Sequence, residues 1–77
     1  MRDVDLSKAS YKFLQNSLPK HAQQLARSIL ALQENVFQND SKALKGYRDL
    51  YRIDVGEYRV VYSFPKSTVY ILLVGKR

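Results

Sequence analysis

The spacing of apolar residues divides this chain into a helical half and a strand half. Up to about residue 34, apolar side chains recur every three or four positions, which is typical of helices with one buried face. From about residue 50 onward they alternate with polar side chains, which is typical of strands. The chain has 77 residues, so we expect one domain that spans residues 1–77.

Two helices are predicted in the first half. Ser7 is a suitable N-cap for a helix from Lys8 to about Leu18, and Pro19 ends this helix and starts a second one that runs to about Glu34. The apolar stripes of the two helices are Ala9, Phe13, Leu14 and Leu18, and then Ala22, Leu25, Ala26, Ile29 and Leu32 or Gln33. A short extended stretch, Val4–Leu6, precedes the first helix.

Three strands are predicted in the second half: Leu50–Val55, Tyr58–Phe64 and Val69–Val74. The continuous apolar run of the last strand predicts burial on both faces. The connections are expected to be Val36–Lys42, with Asn39, Asp40 and Ser41 as turn formers, the two-residue turn Gly56-Glu57, and the turn Pro65-Lys66-Ser67. This order predicts an α+β fold, with an N-terminal helical hairpin packed on one face of a small antiparallel sheet.

The two-residue turn fixes the pairing of the first two strands, because Val55 must then oppose Tyr58. The face expected under the helices carries Tyr51, Ile53, Val55, Tyr58, Val60 and Tyr62. The other face carries Arg52, Asp54, Arg59 and Ser63, and Arg48 if the strand extends back to it. Arginines grouped on such a face suit phosphate binding. The alternative is a solvated face on which Asp54 and Arg59 form an ion pair worth roughly 0.2–1 kcal/mol.

Composition favours a polyanionic partner. The 13 Lys and Arg residues exceed the 7 Asp and Glu residues and give a net charge of +6, which suits nucleic acid or an acidic protein. The alternative is that the excess charge only maintains solubility. The chain has no cysteine, no apolar run of the roughly 18 residues that a membrane span needs, and no signal-like N-terminus. We therefore expect a cytoplasmic protein.

Few other residues indicate chemistry. His21 is the only histidine and is expected to be a solvated helix residue away from the basic face. The chain has no metal-ligand spacing and no glycine-rich phosphate loop, so neither a metal nor a cofactor is expected. Tyr47, between Gly46 and Arg48, is the tyrosine most expected to be exposed, and its ring could stack on a base.

The second half of the chain carries a compound pattern. The stretch ALKGYRDLYRIDVGEYRVVYSF, followed by VYILLVGKR, resembles the RelE/ParE toxin family. The stretch DLSKASYKFLQNSLPK resembles the opening of the same family, so the resemblance covers nearly the whole chain. It implies the toxin of a toxin–antitoxin pair. For the RelE branch it implies cleavage of messenger RNA in the ribosomal A site, without a metal, by attack of a ribose 2′-hydroxyl on the adjacent phosphate.

The resemblance also implies roles for individual residues. Arg59 matches the arginine that stabilises the transition-state phosphate, Arg77 matches a second active-site arginine near the leaving group, and Arg52 stands at a phosphate-binding position that is often lysine. The remaining expected nucleic-acid contacts are Lys45, Tyr47, Arg48 and Lys76. The implied partners are a RelB-like antitoxin, the ribosome and messenger RNA, with no membrane partner.

Two departures from the family pattern leave alternatives open. Asp54 stands where an active RelE toxin can carry a lysine, and the tyrosine or histidine often found beyond the closing arginine is absent after Arg77. The chain could therefore instead be a ParE-like, non-enzymatic inhibitor of DNA gyrase. A third reading is a catalytically impaired toxin that retains only antitoxin binding.

Overall fold

The computed structural model describes residues 2–38 and 41–77. Its elements follow the order β1 (Asp3–Leu6), α1 (Lys8–Gln15), α2 (Pro19–Glu34), β2 (Lys42–Ala43), β3 (Tyr51–Val55), β4 (Tyr58–Ser63) and β5 (Thr68–Lys76). The strands form one sheet in the order β1-β5-β4-β3-β2. This is the expected α+β fold.

The two helices begin as their sequences predict, but α1 ends early. The Oγ of Ser7 accepts a hydrogen bond from the amide of Ser10 at 3.1 Å, and α2 spans Pro19–Glu34 as expected. The predicted end of α1 at Leu18 is wrong, because the helix stops at Gln15. The cause is Pro19, which disfavours helical backbone in the residue before it, and Leu18 is extended with ψ 144°.

The buried face of each helix is narrower than the spacing of its apolar residues predicts. Leu25, Ile29 and Leu32 of α2 are buried against the sheet, whereas Ala26 is exposed. Ala9 in α1 and Leu18 just after it are also exposed. A sheet this small covers only part of each helix, so the edges of the apolar stripes remain in solvent.

The β3–β4 hairpin has the predicted register. Val55 opposes Tyr58, Asp54 opposes Arg59, and Tyr51 opposes Tyr62. Gly56 has φ +61°, as a turn with a left-handed first residue requires. Arg48 does not extend the strand: Asp49 has φ 64°, outside strand geometry, and β3 starts at Tyr51.

The closing strand differs from its prediction. Val69, Ile71 and Val74 are buried, but the expected burial on both faces is wrong, because Tyr70, Leu72 and Leu73 are 38%, 39% and 54% exposed. The described helices cover only one face of the sheet. We call the uncovered face, which carries Arg52, Asp54, Arg59 and Ser63, the open face.

Two features of the sheet have no clear signal in the sequence. The short edge strand β1 pairs with β5 in parallel, with Val4 beside Val69, so the sheet is not wholly antiparallel. The register also shifts between β4 and β5: Val61 opposes Leu73 while Tyr62 opposes Ile71, which leaves Leu72 as an extra residue. This bulge lets both Ile71 and Val74 reach the core.

The connection between α2 and β3 is tied to the core at one end. Asn39 and Asp40, two of the expected turn formers, lie outside the described residues. The third, Ser41, lies with its Oγ 2.9 Å from the hydroxyl oxygen of Tyr62, and that hydroxyl donates to the carbonyl of Val36. Burial raises the pKa of Tyr62 above its ordinary value, so the group is neutral at physiological pH.

The substitution Tyr62→Phe should lower the free energy of unfolding by about 1–2 kcal/mol, because it leaves the Val36 carbonyl without its donor. Urea denaturation at pH 7 measures this loss. The exposed Tyr47 provides the control, since Tyr47→Phe should change stability by less than about 0.5 kcal/mol. Equal stability of Tyr62→Phe and the parent chain would show that the hydroxyl does not secure the connection.

Candidate functional site

The β3–β4 hairpin and the end of β5 bring three arginines together on the open face. Arg52 and Asp54 alternate with buried residues along β3, and Arg59 opposes Asp54 on β4. Arg77 follows β5, where its amide donates to the carbonyl of Glu57 at 3.0 Å and holds the end of the chain beside the hairpin turn. Arg52 and Arg77 are therefore 25 positions apart in sequence but neighbours in the fold.

All three arginines surround the carboxylate of Asp54. The Nε of Arg59 donates to Oδ1 at 3.0 Å, and Nη1 of Arg52 lies 3.5 Å from the same oxygen. Nη1 of Arg77 lies 3.5 Å from Oδ2. We call Arg52, Arg59 and Arg77 around Asp54 the arginine cluster. The expected Asp54–Arg59 ion pair is present, but it is one of three.

The charges of the cluster keep its carboxylate ionised. The pKa of Asp54 lies below its ordinary value, chiefly because Arg59 donates a hydrogen bond to the charged form, and further because of the charges of Arg59, Arg52 and Arg77; partial burial opposes this shift. One negative and three positive groups leave the cluster with a net charge of +2. Such a site attracts an anion even while the carboxylate remains in place.

Open space lies on the open face at the level of Arg59. Gly75 opposes Arg59 across the β4–β5 pair, and a Cβ built on Gly75 meets no atom within 4 Å. Neither packing nor backbone conformation therefore requires glycine here. The missing side chain leaves the open face uncovered on the β5 side of Arg59.

The other expected nucleic-acid contacts do not join the cluster. Lys45, Tyr47 and Arg48 lie exposed in the loop between β2 and β3, with Tyr47 at 64% exposure as expected for an accessible ring. Lys76 opposes Tyr58 in the β4–β5 register, which places it on the helix side of the sheet rather than on the open face. Arg77, one residue further, lies on the side of the cluster.

His21 differs from its expected solvated state. It is half-buried, and its Nδ1 lies 2.8 Å from the hydroxyl oxygen of Tyr58, with the two ring centroids 5.3 Å apart. Tyr58 belongs to the helix side of the sheet, so this pair is separate from the arginine cluster. No local sequence signal joins the two residues, because they are 37 positions apart.

Comparison with known proteins decides the family. A family model described as the ParE toxin of the type II toxin–antitoxin system parDE matches residues 5–77. The chain belongs to the ParE toxin family. It is thus a toxin of the RelE/ParE superfamily, as the sequence pattern indicates.

Solved structures place this ParE-family toxin beside RelE proteins. A chain of the intact E. coli RelBE toxin–antitoxin complex superimposes with a TM-score of 0.85 at 25% identity, covering 100% of this chain and 98% of that chain. A chain of the archaeal RelE–RelB complex from Pyrococcus horikoshii superimposes with a TM-score of 0.73 at 30% identity. The match covers 99% of this chain and 94% of that chain. A chain of the RelBE2 complex from Mycobacterium tuberculosis shares the fold, with a TM-score of 0.85 at 20% identity. The match covers 99% of this chain and 98% of that chain.

No curated protein sequence matches this toxin significantly. Within residues 2–38 and 41–77, no three His, Asp or Glu side chains are grouped so that they could hold a metal ion. Over the same residues, neither helix is long and apolar enough to cross a membrane.

The carboxylate of Asp54 should stabilise the toxin by offsetting repulsion among the arginines. Because its pKa is lowered on folding, this contribution is present above the ordinary value of 3.8 and is lost as the pH falls through the lower folded-state pKa. At pH 7, Asp54→Asn should therefore be less stable by up to about 1 kcal/mol, and the difference should shrink in acid.

Urea unfolding of the parent chain and Asp54→Asn between pH 7 and pH 2.5 checks this dependence. Asp5→Asn, which changes an exposed carboxylate on β1, is the control and should not show the same convergence. A stability difference that stays constant across this range would contradict the assigned charge balance.

Proposed function

We propose that this toxin cleaves messenger RNA on the ribosome, by attack of a ribose 2′-hydroxyl on the adjacent phosphate without a metal ion. The observation that carries the proposal is the convergence of three guanidinium groups on one anionic group at an exposed face. The carboxylate oxygens of Asp54 stand where the oxygens of a bound phosphate would also be stabilised. Guanidinium groups suit this task because their planar donors match phosphate oxygens.

In this proposal the arginines bind and stabilise charge. Arg59 and Arg52 donate to the non-bridging oxygens, whose negative charge grows as the phosphorus becomes pentavalent. Arg77, at the edge of the cluster and 52% exposed, stabilises the departing 5′ oxygen. Arginine remains protonated at all physiological pH values, so none of the three serves as the base.

Asp54 is the group in the cluster that can accept a proton at neutral pH. As substrate enters, the arginines exchange part of their bonding from the carboxylate to the phosphate, and Asp54 then accepts the proton of the 2′-hydroxyl. The bond from O2′ to phosphorus forms, the bond from phosphorus to O5′ breaks, and O5′ takes a proton from solvent. The products are a 2′,3′-cyclic phosphate and a 5′-hydroxyl end. The low pKa of Asp54 makes it a weak base, which predicts slow chemistry.

The regulatory partner in this proposal is an antitoxin of RelB type. The structural relatives of this chain include RelE toxins solved with RelB. Tyr11 and Leu18, in and just after α1, are 55% and 66% exposed and provide an apolar surface for such a partner. An acidic antitoxin would associate quickly with a chain of net charge +6.

The substitution Arg59→Ala should reduce cleavage at least 100-fold, because it removes the donor closest to the anionic centre. Primer extension on a reporter messenger RNA, after induction of the toxin in cells, measures this loss. Arg27→Ala, on the exposed surface of α2, is the matched control and should cleave as the parent does. Unchanged cleavage and toxicity of Arg59→Ala would refute the nuclease proposal.

Inhibition of DNA gyrase is the second candidate. It is favoured by the match to the ParE family model and by Asp54, which removes one net positive charge from the open face. A supercoiling assay with purified gyrase separates the two candidates. Inhibition by the parent chain, together with toxicity but no messenger RNA cleavage in cells, would establish the gyrase candidate in place of the nuclease.

A further inference from the structure

A second concave site opens on the same two strands as the arginine cluster. It is a cavity of about 420 Å³ at the end of β3 and β4 that is farthest from the Gly56-Glu57 turn. We call it the end cavity. Its lining residues are Arg48, Asp49, Leu50, Tyr51, Ser63, Phe64 and Pro65. Its volume falls within the range of roughly 300–1,000 Å³ that small-molecule sites occupy.

One wall of the end cavity is aromatic. The rings of Tyr51 and Phe64 lie 4.9 Å apart at 32°, and both are only half-buried. Phe37 packs edge-on against both rings, with centroid distances of 5.6 and 5.3 Å, and fixes their orientation. The guanidinium of Arg2 lies 5.7 Å from the centroid of Phe64, in cation–π contact with that ring. A fixed aromatic wall suits a flat aromatic ligand.

The rim of the end cavity is polar and carries one cation, Arg48, and one acidic residue, Asp49. Arg48 is exposed and has no ion-pair partner among the described residues. Asp49 adopts a left-handed backbone, with φ 64°, that turns the chain at the rim, and Ser63 contributes a hydroxyl. A guanidinium beside an aromatic wall, with hydrogen-bonding groups around it, is the combination that binds a nucleotide.

The end cavity wraps the end of β3 and β4: Ser63 lies on the open face, whereas Tyr51 and Phe64 pack against the core on the helix side. Arg59 and Ser63 are four residues apart on β4, which corresponds to about 13 Å at 3.3 Å per residue. Arg52 lies between them on the neighbouring strand, where it opposes Val61. A single strand of nucleic acid with one phosphate at the cluster would therefore follow the open face to Ser63 and turn round the end of the sheet to place a nucleotide on the aromatic wall.

We propose that the end cavity is a nucleotide-binding subsite for single-stranded RNA. The base stacks on Tyr51 and Phe64, and Arg48 binds a phosphate of the same nucleotide. The inference rests on the proposed function for the identity of the polymer, but the binding of a nucleotide in the cavity can be measured without any cleavage.

The test is a titration of the full 15N-labelled chain, followed in 1H–15N spectra, with adenosine monophosphate and separately with inorganic phosphate. Adenosine monophosphate should shift the amides of Tyr51, Ser63 and Phe64. Inorganic phosphate should shift those around Arg59 and Arg77 and leave the aromatic wall nearly unchanged. Confinement of adenosine monophosphate to the cluster, or equal shifts from both probes at the aromatic wall, would overturn the proposal.

Arg48→Ala tests the proposed phosphate contact. It should weaken adenosine monophosphate binding at the end cavity roughly tenfold, as expected for the loss of a charge-assisted contact, without changing the affinity of the cluster for inorganic phosphate. Arg27→Ala is the control and should change neither affinity. Unaltered nucleotide binding in Arg48→Ala would refute the role of this residue.

The two proposals fail separately in these experiments. If nucleotide binds the end cavity but Arg59→Ala still cleaves messenger RNA, the proposed reaction is wrong and the subsite stands. If Arg59→Ala abolishes cleavage while no nucleotide binds at the aromatic wall, the reaction stands and the subsite is wrong.

Discussion

The pairing of β3 with β4 through the two-residue Gly56-Glu57 turn is the interaction on which the rest of the structure depends. Strand side chains alternate between faces, so this register sends Tyr58, Val60 and Tyr62 into the core and Arg59 to the open face. A slip of one residue would turn Arg52, Asp54 and Arg59 toward the core and the tyrosines toward solvent. The lost burial would exceed the small free energy of unfolding of a domain this size. Core formation and the grouping of Arg52, Asp54 and Arg59 therefore depend on the same register.

The arginine cluster carries an electrostatic cost that Asp54 offsets. Three guanidinium groups within reach of one carboxylate repel one another, and the ionised carboxylate balances part of that repulsion before any substrate is bound. The same group competes with an incoming phosphate for the same donors. In the proposed reaction, Asp54 thus holds the arginines together, lowers their affinity for RNA and accepts the proton.

The sequence predicts what depends on local spacing and misses what depends on tertiary packing. The hairpin register follows from a two-residue turn, and α2 follows from Pro19 and a regular apolar period. The exposure of Leu73 does not follow, because a continuous apolar run does not say how many sheet faces the chain can cover. The contact of His21 with Tyr58 joins residues 37 positions apart and has no local signal.

The candidate site divides in the same way. Arg52, Asp54 and Arg59 share a face by hairpin geometry alone, so their grouping is predictable from the residues. Arg77 reaches them only through the long-range pairing of β5 with β4, and before the structure only family resemblance pointed to it. The end cavity has no sequence signal, since it combines a loop, two strand ends and a turn.

The most direct test of the central claim, that the arginine cluster is a phosphodiester site partly occupied by its own carboxylate, is the affinity of Asp54→Asn for a short 2′-O-methyl RNA. This RNA binds but cannot be cleaved, so the measurement reports binding alone. Fluorescence anisotropy over a range of salt concentrations should show tighter binding than the parent chain, with a steeper loss of affinity as salt rises. Equal or weaker binding by Asp54→Asn would show that Asp54 does not compete with phosphate, and would contradict the account.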